Sequence, residues 1–150
     1  MSILRITKHF DFEAAHALYG YDGKCKNIHG HSYQLYVTVI GNPIDDINHP
    51  KNGMVMDFGN LKKIVKEQII SVFDHALVLN ENSPHKNLAD SIKGYSDKTV
   101  LVKYQPTSEL MLVDFAERIK KELPIHIKLH NLKLYETSNS YAEWFAEDQN

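Results

Sequence analysis

The chain has 150 residues, of which 43% are hydrophobic and 24% are charged, and its formal net charge is -2. This length suits one globular domain, residues 1–150, and the charge argues against a general nucleic-acid-binding protein. The single cysteine excludes an internal disulfide framework. The sequence shows neither a signal peptide nor an apolar run long enough to cross a membrane, so we expect a cytoplasmic protein.

The first part of the chain predicts two strands joined by a loop. Residues 3–16 have the alternating pattern of a half-buried strand, and residues 31–40 are rich in β-branched and aromatic side chains. The intervening residues 17–28 contain two glycines and are typical of a loop. We expect the two strands to pair as an antiparallel hairpin.

Two amphipathic helices follow. Residues 58–73 carry apolar side chains at helical spacing after Asp57, which can cap the first turn. A second helix is predicted to begin at Pro106-Thr107-Ser108-Glu109, where a hydroxyl cap precedes an acidic first turn. Residues 77–79 form a short apolar run, residues 80–98 are predicted to be a loop, and residues 99–103 are predicted to be a short strand.

The last part of the chain predicts two more strands, residues 125–136 and 141–146, with a change of parity that indicates a bulge near Asn131. The order β-β-α-α-β-β fits an α+β fold in which a four-stranded antiparallel sheet carries two helices on one face. Such a sheet has two open edges, and their pairing with other subunits would close a barrel, so we expect an oligomer.

Three histidines are candidate metal ligands. His29 and His31 are two residues apart in extended backbone and therefore face the same side, and His16 ends the strand that pairs with theirs. Three histidines with one open position are typical of a catalytic zinc site. The alternative is that the histidines only line a hairpin, and spacing alone leaves both open. Cys25 lies just upstream, where a thiol near a cation suits a base or a nucleophile.

The landmarks of the chain, taken together and in order, resemble the 6-pyruvoyltetrahydropterin synthase and 6-carboxytetrahydropterin synthase family over nearly the whole length. They are Phe12-Glu-Ala-Ala-His16, Cys25-x-x-x-His29-Gly-His31, Gly53-Met-Val-Met-Asp-Phe58, Asp74-His75, Pro106-Thr-Ser-Glu109 and Tyr135-Glu-Thr137. The resemblance implies the tunnelling fold, in which subunits join their sheets around a barrel, commonly as a homohexamer built from two trimers.

The resemblance also implies a role for each candidate residue. A Zn²⁺ ion would be held by His16, His29 and His31, and Cys25 would act as the catalytic base. Asp74 and His75 would form a proton relay that reaches the site from a neighbouring subunit; helix termination is the alternative for this pair. Glu136 would anchor the pterin ring and share the relay, and Thr107 and Ser108 would line the same pocket besides capping their helix.

The spacing from the cysteine to the His-Gly-His sequence is similar to that of the bacterial 6-carboxytetrahydropterin synthases. These enzymes act on 7,8-dihydroneopterin triphosphate, on the way to 7-deazaguanines such as queuosine, with loss of acetaldehyde and triphosphate. Within the same class, a pyruvoyl synthase or a pterin side-chain aldolase is the alternative. From other classes, a hydrolase that uses Cys25, His75 and an aspartate and a zinc-stabilised binding module are also weighed.

Overall fold

The computed structural model describes residues 2–150. Its strands are β1 (Leu4–His16), β2 (His29–Gly41), β3 (Ala76–Asn80), β4 (Thr99–Val102), β5 (Lys128–Thr137) and β6 (Ser140–Phe145). Its helices are α1 (Phe58–Val65), α2 (Ser71–Phe73), α3 (Lys86–Ser91) and α4 (Ser108–Lys120), with a π-helical turn (Lys66–Ile70) between α1 and α2 and 3₁₀ turns at Lys24–Lys26 and Ala146–Gln149.

The described residues form one six-stranded sheet in the order β4-β3-β1-β2-β5-β6. The pairs β1/β2, β2/β5 and β5/β6 are antiparallel, whereas β3 runs parallel to β1 and β4 runs parallel to β3. The predicted hairpin of β1 and β2 is therefore confirmed, and it forms the centre of the sheet.

The prediction of a four-stranded, purely antiparallel sheet is wrong. The antiparallel strands β1, β2, β5 and β6 exist, but β3 and β4 extend the sheet in parallel. The strand predicted at residues 99–103 is confirmed as β4, but its place in the sheet was not predicted. β3 is short and apolar at four consecutive positions, so it lacks the alternation that identifies a half-buried strand.

The predicted order β-β-α-α-β-β is wrong for the same reason, since β3, α3 and β4 lie between the two long helical segments. The polar stretch predicted as a loop contains α3. Leu88 of α3 and the neighbouring Ile92 pack with Leu77 and Leu79 in a small second cluster, while Val78 points into the main core. β3 is therefore buried on both faces: the main core covers one face, and the segment that contains α3 covers the other.

The main core lies between the sheet and the segments from α1 to α2 and α4. It is continuous from Phe10 and Phe12 on β1 to Leu132 and Trp144 on β5 and β6. Alternate residues of the central strands therefore face this core, which fixes the face on which the last residues of β1 and the first of β2 lie.

Two irregularities interrupt β5. The pairing of β5 with β2 shifts between Thr38 and Val39, where Asn131 and Leu129 are the partners and His130 is the extra residue, so the predicted bulge near Asn131 is confirmed. A second shift on the β6 side lies between Tyr135 and Thr137, at Glu136. Bulges re-aim side chains near functional sites, and this second one concerns a candidate site residue.

The predicted helix starts are confirmed by their caps. The Asp57 carboxylate accepts a hydrogen bond from the Gly59 backbone N–H at 2.6 Å, and the Thr107 hydroxyl accepts one from the Leu110 N–H at 3.2 Å. Over the described part of the chain, none of the helices has the length and apolar character needed to cross a membrane.

Candidate active site

The structure brings the three predicted histidines together at one end of the β1–β2 hairpin. His16 is directly opposite His29 in the register, and His31 is opposite Ala14, so all three side chains share the core-facing side. The Nε2 atoms of His16 and His29 are 3.1 Å apart. The side chain of His16 is 2% exposed, and that of His31 is 16% exposed.

Backbone carbonyls set the tautomers of two of these rings. His16 Nδ1 is 2.7 Å from the Pro106 carbonyl oxygen, and His29 Nδ1 is 2.7 Å from the Asn27 carbonyl oxygen. Because a carbonyl oxygen only accepts, each Nδ1 must carry the proton and donate it. In the neutral rings, both Nε2 atoms therefore present lone pairs to the same small space.

This arrangement fits a bound cation. Two lone pairs that face each other at 3.1 Å repel unless a proton or a metal ion lies between them. The Nε2 atom of His31 is also buried and makes no hydrogen bond. Tetrahedral donors held about 2.0–2.1 Å from a shared metal ion lie about 3.3–3.4 Å apart, close to the separation seen here.

Glu136 is the fourth member of the cluster. Its Oε1 atom lies 3.3 Å from His16 Nε2 and 3.1 Å from His31 Nε2, and the four candidate ligand atoms all lie within 4.8 Å of one another. The close approach of His16 is the main cause that holds the pKa of the Glu136 carboxyl below its ordinary value, against the effect of its partial burial.

The sequence predicted Glu136 as a site residue but gave it no place beside the histidines. The signal was present, because Leu132, Leu134 and Glu136 alternate and so face one side. What the sequence lacked was the pairing of β5 with β2, which brings that side next to His31.

Burial lowers the pKa of His31 below its ordinary value of 6.5, and the nearby His16 and His29 rings act in the same direction. The Glu136 carboxylate opposes this shift only in part. His31 is thereby favoured in the neutral form that binds metals through a ring nitrogen.

Tyr33 lies behind the histidines. Its ring is 1% exposed, stacks on Phe12 with centroids 5.0 Å apart, and meets the rings of His16 and His31 edge-on. Burial raises the pKa of the Tyr33 hydroxyl, and the charges of Glu136 and Cys25 raise it further. Cys25, the predicted base, is half-buried in the Lys24–Lys26 turn, and its charge acts on the Tyr33 hydroxyl.

The segment before α4 borders the cluster as well. The Pro106 carbonyl holds His16, Thr107 caps the helix, and Ser108 is 6% exposed with a hydroxyl oxygen that has no hydrogen-bond partner in residues 2–150. The contact of the adjoining Pro106 with His16 thus places the predicted pair Thr107 and Ser108 near that histidine in space. The role of the Pro106 carbonyl was not predicted, since a backbone acceptor leaves no residue-type signal.

Asp74 and His75 lie between α2 and β3 and are hydrogen-bonded to Glu13 of β1, away from the three histidines. The Glu13 backbone N–H donates to Asp74 Oδ1 at 2.9 Å, and the His75 N–H donates to the Glu13 carbonyl. The Glu13 hydrogen bond is the main cause that lowers the pKa of the Asp74 carboxyl, and His75 and Lys98 act in the same direction.

The pair is preorganised but lies outside the metal cluster of its own chain. His75 Nδ1 is 3.1 Å from Asp74 Oδ2, and the His75 side chain is 76% exposed. His75 has a φ of 59°, a left-handed conformation that is uncommon for residues other than glycine and occurs at functional positions. The imidazole is therefore presented outward, toward solvent or toward another subunit.

Known proteins share both the sequence and this architecture. A family model described as 6-pyruvoyl tetrahydropterin synthase matches residues 5–147. The chain is 34% identical to the 6-carboxy-5,6,7,8-tetrahydropterin synthase of Haemophilus influenzae over 143 residues, which are 95% of this chain and 99% of the relative.

Solved structures show the same fold. A Wolinella succinogenes protein described as uncharacterized has a TM-score of 0.80 at 22% identity, and covers 97% of this chain and 99% of its own. The 6-pyruvoyl tetrahydropterin synthase of Caenorhabditis elegans has a TM-score of 0.68 at 24% identity, with 97% of both chains covered. Because the family model matches residues 5–147 and the Haemophilus influenzae relative is 34% identical over almost its whole length, the chain belongs to the 6-pyruvoyl tetrahydropterin synthase family.

Proposed function

We propose that the protein is a zinc-dependent 6-carboxy-5,6,7,8-tetrahydropterin synthase. It converts 7,8-dihydroneopterin triphosphate into 6-carboxytetrahydropterin, with loss of acetaldehyde and triphosphate, in the biosynthesis of 7-deazaguanines such as queuosine. The observation that carries the proposal is the convergence of three histidine Nε2 atoms at one point of a chain that is 34% identical to a relative of that name. The three-residue spacing between Cys25 and His29 supports the carboxy product.

Zinc is the metal that the donor set favours, because three imidazoles and a carboxylate are ligands that Zn²⁺ prefers. When bound, Zn²⁺ supplies Lewis-acid polarisation of an oxygen on the substrate side chain. His16 and His29 are held by backbone carbonyls on their Nδ1 sides, a hydrogen bond that metal-binding histidines nearly always make.

Some of the remaining candidate residues transfer protons, and the others bind the pterin ring. Cys25 takes a proton from a side-chain carbon, and the Asp74–His75 pair relays protons at the side-chain hydroxyls. Glu136 accepts hydrogen bonds from the 2-amino group and a ring N–H of the pterin, a two-point match that fixes the orientation of the ring. Thr107 and Ser108 line the ring pocket, and the unpartnered Ser108 hydroxyl supports this role.

We further propose that a complete site needs more than one subunit. His75 is largely exposed and does not belong to the histidine cluster of its own chain, so a neighbouring subunit would supply the relay. A homohexamer built as a dimer of trimers would meet this need in a cytoplasmic enzyme whose partner is a small pterin, with neither nucleic acid nor membrane involved.

The test is a product assay. Purified protein loaded with Zn²⁺ is incubated with 7,8-dihydroneopterin triphosphate, and mass spectrometry is used to search for 6-carboxytetrahydropterin and acetaldehyde. Both products should form, and both should disappear when the ion is removed by a chelator. A pyruvoyl-pterin as the only product would instead establish the alternative activity within the family.

The same assay separates the other classes. A cysteine hydrolase would keep its activity after chelation and would form a covalent adduct on Cys25. A zinc-stabilised binding module would unfold when the metal is removed, which circular dichroism would show.

A further inference from the structure

The backbone of the Asp74–His75 pair has a conformation that needs support. His75 has a φ of 59°, and a residue other than glycine keeps a left-handed conformation only where its surroundings determine it. We infer that Lys98 is a positioning residue for this pair, because its ammonium group holds the peptide unit between Asp74 and His75. The inference rests on the proposed function, in which the pair relays protons at the substrate side chain.

Both polar groups of that peptide unit are held. The Lys98 ammonium donates a hydrogen bond to the Asp74 carbonyl oxygen, and the His75 N–H donates one to the Glu13 carbonyl oxygen. The carbonyl and the N–H of one peptide unit lie in a single plane. Fixing both groups therefore fixes the plane, and with it the backbone rotation that sets the direction of the His75 side chain.

Lys98 is itself fixed in place. The Leu77 N–H donates to the Lys98 carbonyl oxygen at 3.0 Å, and β4 begins at the next residue, Thr99. The other contacts with the pair come from the backbone N–H and carbonyl of Glu13, whereas the Lys98 contact comes from a side chain. A substitution at Lys98 therefore removes one contact and leaves the others.

The charge of Lys98 also suits the task of the pair. It acts with the Glu13 hydrogen bond, which is the largest cause, and with His75 to lower the pKa of the Asp74 carboxyl. The ionised carboxylate accepts from His75 Nδ1, 3.1 Å away, which leaves Nε2 to exchange protons with a substrate. The His75 ring borders a cavity of about 360 Å³ that Glu13 and Ser32 also line, so a substrate group can reach the positioned ring.

The experiment compares the wild type with Lys98→Met, Lys98→Arg and Lys93→Met. Methionine removes the donor but keeps an unbranched side chain, whereas arginine restores a positively charged donor. Lys93 is the matched control, because it is an exposed lysine of the same polar segment. The measurements are hydrogen exchange at the His75 N–H, by mass spectrometry of short overlapping peptides, and kcat and KM for 7,8-dihydroneopterin triphosphate. Melting of each variant controls for folding.

We expect the His75 N–H to exchange about 5-fold faster in Lys98→Met, because loss of one hydrogen bond to the peptide unit loosens the other. The kcat should fall about 5-fold or more while KM keeps its wild-type value, since the pair acts on protons and not on binding. Lys98→Arg should recover both quantities, and Lys93→Met should match the wild type. The melting temperatures should stay close to one another, because the contact is local.

Wild-type exchange and kcat in Lys98→Met would overturn the inference. A loss of kcat without faster exchange would overturn it as well, because Lys98 would then act on the substrate directly, and a raised KM at constant kcat would assign Lys98 to substrate binding instead. A wild-type protein that makes no 6-carboxytetrahydropterin would refute the proposed function. Faster exchange in Lys98→Met that is reversed in Lys98→Arg would in that case still show that Lys98 holds the pair.

Discussion

At the scale of single residues, the candidate site depends on hydrogen bonds that no side-chain pattern records. The carbonyl oxygens of Pro106 and Asn27 each accept from a histidine Nδ1, and this turns the unprotonated Nε2 atoms toward each other. Removing one ring should therefore leave too few donors to hold a metal ion.

His29→Ala tests the metal site. The variant should lose most of its bound metal, because the three remaining donors have lost the imidazole that lies 3.1 Å from His16 Nε2. Elemental analysis of protein purified without chelator gives the metal content per chain. His126→Ala, which changes an exposed histidine outside the cluster, is the control and should keep the wild-type content. Normal metal content in His29→Ala would contradict the ligand assignment.

At the scale of elements, caps and bulges place the functional side chains. Asp57 caps α1 and also pairs with Lys51, and these two contacts, the Lys51 contact first, hold the pKa of the Asp57 carboxyl below its ordinary value of 3.8. The folded state therefore binds a proton at Asp57 less readily than the unfolded state does. Its charge stabilises the fold at neutral pH, and this contribution is lost as the pH falls below 3.8 through the pKa of the folded state.

Asp57→Asn isolates that charge, because asparagine is also a good helix cap. The variant should unfold at lower urea concentration than the wild type at pH 7, and the difference should shrink toward zero at the acid end of the folded range. Urea unfolding followed by circular dichroism at a series of pH values measures both midpoints. A difference that is the same at every pH would show that the charge of Asp57 does not stabilise α1.

At the scale of the whole molecule, one chain holds its candidate site in two separate parts. The histidines and Glu136 lie on the core-facing side of β1, β2 and β5, while the Asp74–His75 pair is attached to the Glu13 backbone and points outward. If the histidine cluster of one subunit is completed by the Asp74–His75 pair of another, two variants that are inactive alone should regain activity when they assemble together.

Cys25→Ala and His75→Ala test this directly. Each variant alone should be inactive while keeping its fold, and Cys25→Ala should keep its metal. After denaturation and refolding of an equal mixture, random assembly should leave about a quarter of the sites with both residues intact, and so about a quarter of the wild-type activity. Refolded single variants are the controls. A mixture without activity would show that each chain uses its own Cys25 and His75.

The sequence determined a large part of this protein. The hairpin of β1 and β2, the capped helices and the bulge near Asn131 follow from side-chain periodicity and turn chemistry, which act over a few residues. The candidate residues were recognised through motifs in a fixed order along the chain, and their family is confirmed.

Only the tertiary structure decided how these parts meet. The strand β3 is too short and too uniformly apolar to show a period, and β4 was predicted as a strand without a partner. Their parallel pairing depends on contacts with β1 and α3 that are distant in sequence. The approach of Glu136 to the histidines likewise comes from the pairing of β5 with β2. Local patterns record which face a residue occupies, whereas the neighbour across the sheet is set by packing of the whole core.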